Sequence, residues 1–148
     1  LSQFIRQPSD HKVNVLCGSG CKFRQCVNEL LESIGLSREQ IYITNINKCH
    51  PPGNRDPERE EQEACMPYLK YETALIRPRI MVCLGRIAAC RVIRPDFRIT
   101  REHGQWTERK GFFLTGVYHP SALLRDPSKM AETKEDFQRI REKLDTFL

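Results

Sequence analysis

What most constrains this chain is an alternation of two periodicities. Short apolar, β-branched runs are separated by segments whose apolar residues recur at helical spacing, with glycine, proline or asparagine between them. His11–Leu16 alternates, with Val13 and Val15 on one side, and runs into Cys17-Gly18-Ser19-Gly20. Leu30, Leu31 and Ile34 follow at helical spacing, and Gly35 marks a stop. Ile41–Ile46 reads as a buried strand, and the loop His50–Pro57 comes next. Asp56 and Pro57 suit the cap and first turn of a helix to Leu75. Arg79–Leu84 is a further strand, followed after Gly85 by a short helix through Val92. Phe112–Val117 is another strand, and a last helix fills Ala131–Phe147. Strands alternating with helices predict an α/β fold, a three-layer α/β/α sandwich with a mostly parallel central sheet. At 148 residues the expectation is one domain over 1–148, atypical or truncated over 1–26.

Such a sheet says where to look for a site. In open α/β sheets ligands sit beyond the carboxyl ends of the strands. Those ends are Cys17–Gly20, Thr44–Pro52, Gly85–Arg86 and Tyr118–Arg125. Two carry unusual polar residues: TNINKCHPPGNR after the second strand and YHPSALLR after the last.

Charge and cysteine content narrow the class. There are 24 Lys+Arg against 19 Asp+Glu, a net charge of +5. Acidic residues cluster in Asp56–Glu63 and Glu132–Asp136, and basic ones around Arg77–Arg109 and Arg125–Lys129. That asymmetry permits a phosphate-facing surface as well as an ordinary solvated one. No run approaches 18 apolar residues, so no membrane partner is expected. The first residues do not read as a secretory leader, so a reducing, cytoplasmic setting and a monomer are expected. Seven cysteines in that setting point to metal ligation or buried thiols before disulfides. Cys83 and Cys90 lie in apolar runs and read as small core residues. Cys17, Cys21, Cys26, Cys49 and Cys65 remain as candidate ligands, with no CxxC pair among them.

The side chains of the two polar loops suit recognition of a planar heterocycle. The Asn45 amide offers a donor and an acceptor in one plane, fit to read a base edge; alternatively it satisfies its own turn. His119 precedes Pro120, which holds its backbone extended and lets the ring project from the strand tip; alternatively it bonds the backbone as a structural residue. Ser121 to Arg125 sets a hydroxyl, two leucines and a guanidinium on one loop. Leu123 and Leu124 can wedge between bases with Arg125 on a phosphate, or fold back into the core. No GxSxG elbow accompanies them, and His119 and Ser121 are too close in sequence for a Ser-His-Asp site.

The segments YITNINKCHPPGNRDP, EACMPYL, IMVCLGRIAA, ITREHGQW and YHPSALLRDPSK resemble the family-four uracil-DNA glycosylases, the iron–sulfur branch of that superfamily. The likeness runs from about Val27 to the C-terminus. It implies a base-excision repair enzyme that flips uracil out of DNA and hydrolyses its N-glycosidic bond, leaving an abasic site. On this resemblance Asn45 recognises the flipped uracil, and His119 stabilises the charge developing on uracil O2. Asn54 and Ser121 support substrate binding. Pro120, Ser121, Leu123, Leu124 and Arg125 form the element that enters the DNA minor groove. Cys49 and Cys65 match two of the four ligands of a [4Fe–4S] cluster, with Cys17 and Cys21 as candidates for the others.

The chain departs from the family pattern near its N-terminus. The family's CxxC pair and its GEAPG-type loop have no counterpart, and VNVLCGSG (Val13–Gly20) stands where the acidic loop would be. It offers no carboxylate, which is expected to slow catalysis by ~10²-fold or more on typical general-base contributions. The alternative is a catalytically impaired remnant that binds DNA or uracil without turnover. A third reading gives the irregular cysteines to zinc.

Overall fold

The structure, a computed structural model, describes residues 13–17, 24–36, 41–45 and 59–147. Five strands, β1 (Val13–Cys17), β2 (Tyr42–Asn45), β3 (Ile80–Leu84), β4 (Thr107–Arg109) and β5 (Phe112–Val117), form one sheet in the order β2-β1-β3-β5-β4. The first four in that order run parallel; only β4 is antiparallel, paired with β5 at the edge. The helices are α1 (Arg24–Glu32), α2 (Arg59–Ile76), α3 (Gly85–Val92), α4 (Ile99–Glu102), α5 (Pro120–Arg125) and α6 (Met130–Asp145). A 3-10 turn, Pro127–Lys129, joins the last two.

The central strand β3 is buried along its whole length, because helices cover both faces of the sheet. Its period-2 alternation assigns its residues to two cores. Ile80, Val82 and Leu84 pack with Val15, Val117 and the apolar sides of α1 and α6 (Val27, Leu31, Phe137, Ile140). Met81 and Cys83 face the other way, with Leu69 of α2, Ala88 and Ala89 of α3, Phe97 and Leu114. The three-layer expectation therefore holds. Cys83 is a core residue as expected, its thiol pushed up to about 12 by burial. Cys90 is half-buried and its thiol donates to the Phe97 carbonyl.

Three segments differ from the sequence reading. The hairpin strand β4 and the single turn α4 were not anticipated, being too short to set up a periodicity. The segment Ser121–Arg125, expected as a loop, is the helix α5. Its start follows from local chemistry. Pro120 takes the first helical position, where no N–H is needed, and the His119 side chain caps the second-position N–H.

Candidate functional site

The register of the parallel strands sets the site's frame. Asn45 of β2 is aligned with Cys17 of β1, Cys17 with Leu84 of β3, and Leu84 with Val117 of β5. These four residues form one row at the carboxyl edge, and Gly85 and Tyr118-His119 lie just beyond it. β2 runs to one side of β1 and β3 to the other, so the strand order reverses at the centre of this row, the usual place for a ligand crevice. Asn45 and His119 lie on either side of that crevice, three strand spacings apart, about 14 Å at the backbone.

His119 is the best defined side chain of the site. Its backbone is extended, with φ −68° and ψ 145°. Its Nδ1 accepts the Ser121 backbone N–H at 3.1 Å and lies 2.9 Å from Ser121 Oγ. A nitrogen that accepts an amide N–H carries no proton, so the neutral ring holds its proton on Nε2. Burial lowers the pKa of the ring, and the nearby Arg125 charge lowers it further. His119 is thus a neutral Nε2–H donor at physiological pH.

One residue that positions this ring escaped the sequence reading beyond its place at a strand end. Gly85 adopts φ +86°, and a Cβ there would lie 2.9 Å from His119 Cβ. Both the left-handed backbone and the close approach demand glycine at the β3–α3 junction. The signal was present as glycine directly after a buried strand, but its neighbour is 34 positions away in sequence.

The remaining expected residues divide clearly. Leu123 is 2% exposed and belongs to the core with Leu84, Tyr118 and Phe137, which removes it as a wedge. Pro120 is buried too, as the first residue of α5. Leu124, on the outer side of the same helix, is 63% exposed. Helical geometry makes the difference, since adjacent residues point about 100° apart. Arg125 is exposed, with Nε 3.4 Å from the Ser121 carbonyl.

Asn45 and Cys17 are placed by backbone at the ends of β2 and β1, and Cys65 within α2; their side chains lie outside the described residues. Asn54, Cys21 and Cys49 lie outside them altogether. Among the described residues no group of three or more His, Cys, Asp or Glu is arranged to hold a metal. No described helix is long and apolar enough to cross a membrane.

Comparison with known proteins gives a consistent result. The family model of the Uracil DNA glycosylase superfamily matches residues 8–145. The chain is 43% identical over 124 residues to the type-4 uracil-DNA glycosylase of Archaeoglobus fulgidus, an alignment covering 78% of this chain and 62% of that protein. It is 39% identical over 132 residues to the type-4 enzyme of Sulfurisphaera tokodaii, covering 84% and 59%. The type-5 uracil-DNA glycosylase of Pyrobaculum aerophilum is more distant, 36% identical over 91 residues, covering 60% and 40%. The chain spans about 60% of the length of its type-4 relatives.

Proposed function

Because the chain belongs to the uracil DNA glycosylase superfamily, we propose that it excises uracil from DNA, with His119 and Asn45 at the reacting base. The observation that carries this reading is the neutral, tautomer-fixed His119 on the same carboxyl edge as Asn45. As the N-glycosidic bond breaks, its electron pair passes to the uracil ring and negative charge builds on O2. Water supplies the oxygen that ends on the sugar, and its proton neutralises the released base. A preorganised Nε2–H donor stabilises the developing anion. The neutral ring stabilises the anion by a hydrogen bond without handing over a proton; the logic matches other sites that keep histidine uncharged beside a helix N-terminus. Asn45 reads the uracil edge through its paired donor and acceptor. On the DNA side, Leu124 takes the wedge role and Arg125 a phosphate. Asn54 and Ser121 complete the substrate contacts; Ser121 also holds Nδ1 of His119.

A [4Fe–4S] cluster held by Cys49 and Cys65, with Cys17 and Cys21 completing the set, belongs to the same reading. Four thiolates are the right donors for it. If bound, it would tie β1 and α2 to the segment between β2 and α2. The purified protein is then brown, with iron and sulfide in equal amounts; a colourless protein carrying one zinc would remove the cluster.

The deciding assay is uracil release from a single-uracil oligonucleotide, read as alkali-sensitive strand cleavage. Release by the parent chain and its loss in His119→Ala supports the proposal. The Cys-Gly-Ser-Gly sequence at the end of β1, lacking a carboxylate, favours the second reading, a binding remnant. Uracil-dependent DNA binding without release would establish that reading instead.

A further inference from the structure

We propose that His103 is a positioning residue for this reaction: clamped on the buried Asp136, it holds Tyr118 and thereby sets the direction of His119. The role rests on the reading of His119 as the donor to the leaving base. Tyr118 and His119 are consecutive, and side chains one residue apart in extended backbone leave to opposite sides. His119 goes against Gly85. Tyr118 goes into the core beside α6 and is 5% exposed. Whatever fixes the Tyr118 ring therefore fixes the peptide from which His119 springs.

Two side chains grip that ring. The His103 ring lies 4.9 Å from it, tilted by 39°. Lys129 Nζ stands 4.6 Å from the ring centroid and 3.5 Å from the hydroxyl. His103 is in turn fixed at both nitrogens, with Nδ1 2.6 Å from Asp136 Oδ2 and Nε2 3.4 Å from Glu132 Oε2. Arg139 Nη1 faces the other Asp136 oxygen at 3.6 Å. The next residue, Gly104, adopts φ +77°, and a Cβ there would fall on Asp136 Oδ1. Its N–H donates to the Gly116 carbonyl at 2.9 Å, so the turn is pinned to β5 two residues before Tyr118.

The chemistry of this cluster favours orientation over bulk stability. Asp136 is 1% exposed, and burying a carboxylate adds little that an apolar side chain of the same size would not give. What it adds is direction. The short contact of Asp136 Oδ2 with Nδ1 of His103, 2.6 Å, holds the ring in one plane. Loosening it lets the Tyr118–His119 peptide rotate, and an ångström of misplacement at a reacting group costs up to ~10²-fold in rate.

The test is His103→Ala and His103→Asn in the full chain, assayed for uracil release and for the ¹⁵N signals of the His119 ring across pH. Asparagine keeps a donor for Asp136 but has no ring to hold Tyr118. The expected result is a tenfold or greater fall in kcat in both variants with KM within twofold. The His119 titration moves up toward the ordinary histidine value in both. If His103→Ala does not fold, His103→Asn and Tyr118→Leu give the same reading. The proposal is overturned if the folded variants keep parental His119 ring signals, or if His103→Asn restores kcat in full. Should the parent chain itself release no uracil, the glycosylase reading falls, while the His119 ring signals still decide the positioning role.

Discussion

His103 and His119 flank the same turn out of β5, and their surroundings are opposite. His103 sits between two carboxylates, Asp136 and Glu132, with its ring against Tyr118. At His119 an amide N–H occupies Nδ1 and Arg125 raises the local positive potential. A histidine between two carboxylates is held in a fixed plane. A histidine capping a helix beside a guanidinium is built to stay neutral and donate from Nε2. The comparison teaches that residue type alone does not assign a role here; the partner at Nδ1 does.

The largest effect that would break this contrast is at His119. His119→Ala is expected to lower uracil release by ~10³-fold, the scale for losing one donor to a developing oxyanion, with ~1 kcal/mol of stability lost with the helix cap. Comparable damage to activity from any other single histidine would collapse the distinction. On the other side of the turn the rate loss expected at His103 is smaller, and a loss of stability joins it at Asp136. Asp136→Ala removes one partner of a buried pair and is expected to cost about 3 kcal/mol, measured by urea denaturation.

Gly85→Ala comes next. The added methyl group meets His119 Cβ in a left-handed backbone, and a ~10- to 100-fold loss of kcat is expected with DNA binding retained. Band-shift titration beside the kinetic assay separates the two. A wild-type rate in this variant would show that His119 has room to move.

The pH profile sharpens the same contrast. The folded pKa of His119 is lowered, so its neutral form persists as pH falls through the ordinary histidine range. Uracil release should stay flat there and fall only at lower pH. Because the unfolded chain takes up this proton first, the same group makes the fold less stable as pH falls from the ordinary value to the lowered one. Arg125→Gln removes one of the two causes and should move the acid limb to higher pH. The smallest expected effect on stability is at Leu124. Leu124→Ala should change it by less than ~0.5 kcal/mol, yet lower release from duplex more than from single-stranded substrate. Leu123→Ala, by contrast, empties a core position and should cost ~2–5 kcal/mol.

Much of the fold was legible because long elements impose their period. The unbroken apolar run Ile80–Leu84 and the alternation of strands with helices predicted a sheet covered on both faces. Element ends shifted by one or two residues, as for α6 at Met130–Asp145, because capping contacts are local and weakly encoded. β4 and α4 escaped for a different reason: three or four residues cannot display a period, and their bounds depend on pairing with β5 and on the Arg98 carbonyl. Within the candidate site, His119 and Asn45 stood out as polar residues at strand ends. Gly85 and the His103–Asp136 couple did not, since each acts through a neighbour tens of positions away.

The sequence by itself determined the layered α/β architecture, the carboxyl edge as the place to look for a site, and the family through its motifs. Hydrophobic period and short motifs are local properties, readable without contacts. Only the tertiary structure decided which of two adjacent leucines faces solvent, which nitrogen of His119 carries the proton, and why glycine stands at position 85. Those are matters of who touches whom across the sheet, and residue order does not carry them.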